Sequence, residues 1–180
     1  MRAVASVSPD SSIAQWARVG FGSRKMIRKI LKINVVIIAL AFLALQFVRP
    51  DFSNPPVVAS ETLAASTTVP PDVQAVLSRS CNDCHSNETV YPWYSQVSPF
   101  NWFLAGHIDD GRHEMNFSEW NTYPKQRKIN KLDEICEQVE AGAMPLPSYL
   151  WIHRDAVLKP GEGKLLCDWA KAESERVSAQ

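Results

Sequence analysis

Residues 81–85, Cys-Asn-Asp-Cys-His, put two thiols and an imidazole within five positions. On a helix Cys81 and Cys84 stand at i and i+3, and His85 at i+4 from the first, so the three side chains share one face. A planar partner with two reactive edges and a metal at its centre would engage all three. Haem is such a partner: its two vinyl groups form thioethers with the thiols while the imidazole ligates the iron, the c-type attachment pattern Cys-x-x-Cys-His. Other chemistries ask for more than the sequence offers. A structural zinc site needs a second ligand pair at similar spacing, whereas Cys136 and Cys167 stand alone. A thioredoxin-like redox pair needs a βαβ setting, and no alternating strand run precedes Cys81.

A low-spin haem needs a ligand on its second face. Met144 is the reading here, because it follows Gly142 where a helix ends, and Pro145 and Pro147 stiffen the segment that carries it. His153, His107 and His113 are the rival ligands, in that order. Arg112 is a candidate partner for a haem propionate, with a structural ion pair as the alternative. Cys136 and Cys167 are read as two buried free thiols, a disulfide between the third and last helices of the domain being the other possibility.

The elements that must position these groups are helical. Residues 70–81, with Asp72 as N-cap, put Val73, Val76 and Leu77 inward and deliver the motif. A second helix has Ser98 as N-cap, Pro99 at its first position and Gly111 past its end. Its Phe100, Trp102, Phe103 and Leu104 are apolar nearly all round, which predicts burial. A third covers 125–141, with Ile129, Leu132, Ile135 and Val139 in register and Gly142 closing it. The last covers about 160–177, with Leu165, Leu166 and Trp169 facing in. No strand of convincing length intervenes, so the domain at 72–180 is predicted all-α.

Ahead of that domain the chain changes character. Residues 33–48, INVVIIALAFLALQFV, are apolar apart from Asn34 and Gln46. The chain has nineteen Lys and Arg and nineteen Asp and Glu. Up to Arg49 it carries eight of the basic residues and one acid, so beyond it eleven basic residues face eighteen acidic ones. Basic residues before an apolar run hold that end in the cytoplasm. Residues 26–49 are therefore read as an uncleaved membrane anchor, lengthened by lysines that snorkel to the headgroups; a signal peptide cut near Val57-Val58-Ala59 is the alternative. Residues 1–25 lack apolar periodicity and are read as a disordered cytoplasmic tail or as an over-long gene start before Met26. Residues 50–71, with five prolines among Ser, Thr and Ala, read as a tether. No basic patch with interleaved aromatics appears, which excludes nucleic acid as a partner.

Three stretches together, CNDCHSNETVYPWYSQVSP, GRHEMNFSEW and AGAMPLPSYLWIHRDAVLKPGEGKLLCDWA, resemble the bacterial cytochrome c-like haem-binding domain family, as does the run ending QFVRP. The resemblance covers about 72–172 plus the anchor. It implies one c-type haem, on the periplasmic side of the inner membrane, in a small cytochrome c-like helical fold. The Met144-Pro145 step is likewise similar to the distal-ligand segment of many c-type cytochromes. Electron transfer with redox partner proteins of a respiratory or periplasmic chain is the function expected of a haem with both axial positions filled. A peroxidase-like haem enzyme, with an open sixth position, and a haem-based sensor are the alternatives.

Overall fold

Helix formation follows the apolar periodicity and the prolines closely. In the computed structural model, which describes residues 11–180 (side chains from Arg24 onward), eight α-helices occur and no strand is found among the described residues. The described residues are all-α, as the sequence predicts for the domain. The helices are α1 (Ser11–Leu45), α2 (Leu63–Ser66), α3 (Pro71–Ser80), α4 (Asn82–His85), α5 (Phe100–Glu114), α6 (Lys125–Glu140), α7 (Pro147–Leu150) and α8 (Glu162–Ser178).

The chain divides after Val48 into two units. The first contains α1. Residues 11–25, expected as a disordered tail, are part of this helix, because no proline interrupts the chain between Ser11 and Leu45; residues 1–10 lie outside the described residues. Its side chains from Met26 to Leu43 are largely exposed apolar groups, Ile38 at 68%. The uncharged part, from Ile33 to Leu45, is about 20 Å long at 1.5 Å per residue, short of the ~30 Å hydrocarbon core. Among the described residues no helix is long and apolar enough to cross a membrane.

The second unit begins at Arg49. Its core joins Val73, Val76 and Leu77 of α3 to Leu132 of α6 and to Leu166, Trp169, Ala170 and Val177 of α8, with Trp120 and Phe117 between them. Ile129, Ile135 and Val139 pack against the same cluster, as their spacing predicts. Helices α6 and α8 are the main packed pair, and a disulfide links them: Cys136 and Cys167 are bonded, with Cα atoms 4.6 Å apart. This corrects the free-thiol expectation. Sequence spacing says nothing about how two helix faces meet, and here both cysteines fall on the buried seam. Closing a loop of this length contributes about 2–4 kcal/mol to stability.

Residues 50–71 are not a free tether. Leu63 is buried in the core, and its amide donates to the Phe117 carbonyl at 2.7 Å. Asn54 donates to the Thr89 carbonyl, and Tyr91 to that of Ser53, while Phe52 meets the Tyr91 ring edge-on. The segment, which includes the short helix α2, is a strap laid along the domain. Two helix starts also differ from expectation. Pro71 occupies the first turn of α3, and Asp72 accepts from its neighbour's amide inside the helix instead of capping it. Helix α5 starts after Pro99 and runs through Gly111 to Glu114. Its Phe100 and Phe103 are 60% and 61% exposed, which contradicts the expectation of an all-round buried helix; only Asn101, Leu104 and Ile108 face the core.

Candidate haem site

The motif sits where α3 hands over to α4. The α3 helix ends at Ser80, and Cys81 leaves the helical path before the single turn Asn82–His85. Amides of Cys84 and His85 both bond the Cys81 carbonyl, which keeps the three side chains on one short arc. Helix α5 packs directly against this turn. A Cβ placed on Gly111 would lie 2.7 Å from the Cys84 carbonyl oxygen and 3.1 Å from the Cys84 Cβ. The glycine is therefore a close-approach residue inside the helix, not the stop signal its type suggested.

That approach has a chemical consequence. His85 Nδ1 lies 2.9 Å from the Gly111 carbonyl and 3.0 Å from that of Met115, at the end of the same helix. Two carbonyl oxygens can only accept, so Nδ1 carries the proton and Nε2 is left with its lone pair free to ligate. Burial lowers the imidazole pKa, against the two carbonyl bonds that raise it, and so favours the neutral ligand form. Burial likewise pushes the Cys81 thiol up to about 12 and the Cys84 thiol up to about 11. Thiols held this far from ionisation do not suit a redox-active pair. Nor do the motif side chains converge on a point: among the described residues the one grouping of three metal-ligating groups is Cys136, Glu140 and Cys167, and two of those are joined as a disulfide.

Two adjoining cavities open on the motif, of about 310 and 260 Å³. Cys81, His85, Met144 and Pro145 line both. The first is walled by apolar groups, among them Leu77, Phe117, Ile135, Val139 and Leu166. Ile135 and Leu166 are each adjacent in sequence to a disulfide cysteine, so the bond that ties α6 to α8 also fixes this wall. The second cavity adds Cys84, Gly111, His107, Leu146 and Tyr149. Two free thiols, an imidazole presenting Nε2, a thioether on the same cavity and an apolar lining fit a porphyrin with an iron at its centre.

A family model described as a haem-binding domain matches residues 40–172. The chain belongs to the haem-binding domain family. No curated protein and no solved structure matches it.

Within this haem-binding domain the sequence-derived site residues separate clearly. Cys81, Cys84, His85 and Met144 come together around the cavities. Of the rival ligands, His107 lines the second cavity with its ring 4.2 Å from that of Phe103. His153 does not line either cavity: its Nε2 is 2.7 Å from the Tyr94 hydroxyl and its ring stacks on Tyr149. His113 is exposed in the last turn of α5. Arg112 ties the segment after the motif to the strap, donating to the Ser86 carbonyl, to Thr89 Oγ1 and to Asn54 Oδ1, so its role is structural. The sequence reading missed one tie. Tyr149 Oη donates to Asp83 Oδ2 at 2.8 Å, joining the methionine-bearing segment to the turn between the two cysteines. An acid between two cysteines carries no signal of such a partner 66 residues away.

The two helical glycines of α5 make a paired test. Gly111→Ala forces a methyl into the Cys84 backbone and is expected to destabilise the domain by about 1–3 kcal/mol. Gly106→Ala meets nothing within 4 Å and is expected to stabilise by up to about 1 kcal/mol through helix propensity. Thermal melts of the two haem-loaded variants check this; equal shifts would show that α5 does not press on the motif.

Proposed function

We propose that this chain is a membrane-anchored c-type cytochrome that transfers electrons on the periplasmic side of the inner membrane. In this reading one haem c is held through Cys81 and Cys84, with His85 and Met144 on its iron. The observation that carries the reading is the fixed tautomer of His85 facing a cavity shared with Met144. When bound, the group supplies a one-electron couple between ferric and ferrous iron.

The chain's own residues supply rigidity. The two carbonyls on Nδ1 hold the imidazole plane and raise the donor strength of Nε2. The amides of Ala143 and Met144 both donate to the Gln138 carbonyl, so the methionine segment is moored to the end of α6. Pro145 and Pro147 limit its remaining freedom. Apolar walls and the disulfide keep water and side-chain rearrangement small, which lowers the cost of changing charge at the metal. The anchor is supported by the basic flank Arg24 to Lys32 and by the exposed apolar side chains of α1, which need cover. Lysine and arginine stems reaching back to the headgroups would lengthen the apolar run toward a full span.

The test is spectroscopic. A pyridine haemochrome of the purified chain is expected to have the thioether-type spectrum, and the ferrous protein is expected to resist carbon monoxide. Ready carbon monoxide binding would overturn the closed electron-carrier reading in favour of an enzyme or a sensor.

A further inference from the structure

Two stretches of the acidic domain carry no charged residue. From Thr89 to Ile108 there is no Asp, Glu, Lys or Arg, and the same is true from Ala141 to Ile152. These two stretches present Trp93 (77% exposed), Phe100 and Phe103 (60% and 61%), Trp151 (73%) and Ile152 (61%). They adjoin one another. The 3-10 turn Trp93–Gln96 packs on α5, and Tyr94 bonds His153, the residue after Ile152. Exposed large apolar side chains grouped on adjoining segments mark an interaction site.

The path of the strap identifies what covers it. Arg49 is the first residue after the apolar run, and its guanidinium donates to Gln96 Oε1 at 3.1 Å. Phe52, Ser53 and Asn54 are held in turn on Tyr91 and Thr89. The second unit therefore begins on this face. Trp93 and Gln96 share a 3-10 turn, and at ~2 Å rise per residue they are about 6 Å apart along its axis. Phe100 lies four residues beyond Gln96, at most about 14 Å along the chain. The polar zone on each side of a bilayer is itself some 5–8 Å deep, and tryptophan is the residue enriched there.

We propose that this aromatic face rests in the headgroup region of the bilayer that the anchor enters, with Trp93, Phe100 and Phe103 as its contact groups and Arg49 beside them. The proposal rests on the membrane-anchored reading.

Photolabelling tests it on the full haem-loaded chain in vesicles of phosphatidylethanolamine and phosphatidylglycerol. The probe is a phospholipid with a diazirine near the carbonyl end of one acyl chain, and adducts are mapped by mass spectrometry. Adducts on peptides covering 33–48 and also on those covering 91–103 and 147–153, with several-fold less on α8, are the expected result. Adducts on 33–48 without any on 91–103 would overturn this inference while leaving the anchor intact, whether that face is then bare or covered by a second copy or another protein. Absence of adducts on 33–48 would overturn the membrane reading, and this proposal with it.

Discussion

A double Cys81→Ala, Cys84→Ala variant is expected to lose all haem stain on a denaturing gel, while the unmodified chain, made with a working haem-attachment system, retains it. The loss is complete because denaturation removes every contact except a covalent one. The structure sharpens this expectation beyond the five-residue pattern. Both thiols are free, and burial keeps them protonated, so neither is spent on a disulfide or poised as a thiolate. The only other cysteines are joined to each other, which removes the second ligand pair that a zinc reading would need. The single variants are informative too. With one thioether left, each is expected to keep stain at reduced intensity, since His85 and the cavity walls still place the porphyrin. An unstained wild-type chain would sink the covalent assignment without touching the family membership.

The parts of this site legible in the sequence are those governed by local spacing. Val73, Val76 and Leu77 turn inward through helical spacing, and Cys84 and His85 stay beside Cys81, which itself leaves the helical path, because their amides both bond its carbonyl. Gly142, which does adopt a left-handed φ of 65°, closes α6 as its type predicts. What escaped the sequence depends on contacts between distant segments. The type of Gly111 predicts a helix terminator; its actual constraint comes from Cys84, 27 residues earlier in the chain. Proline density predicts a tether because it reports backbone irregularity and is silent about burial; Leu63 in the core and the contacts of Phe52, Ser53 and Asn54 seat the segment. Phe100 and Phe103 were read as core because the helix is apolar on several faces, yet only the face carrying Leu104 and Ile108 meets the bundle. The order of rival ligands changes for the same kind of reason. His153 led them on sequence, and its hydrogen bond to Tyr94 and stacking on Tyr149 take it out of contention.

Met144→Ala is expected to open the haem. Three linked changes follow if the thioether is the sixth ligand. The weak far-red charge-transfer band of the oxidised protein disappears, the ferrous form binds carbon monoxide, and the reduction potential falls, because a neutral soft sulfur that favours ferrous iron has been removed. The fold should survive. Met144 is only half-buried and is not part of the packed core, and its segment stays moored through the Ala143 and position-144 amides on Gln138 and through Tyr149 on Asp83. Met115→Leu is the control. Met115 lines only the first cavity, and its carbonyl is bonded to His85 Nδ1, which holds it on the histidine side of the site. That variant keeps the carbonyl and is expected to leave band and potential in place. If Met144→Ala leaves the spectrum and potential unchanged, the methionine is packing alone. His107, the one other rival on the second cavity, then becomes the ligand to remove.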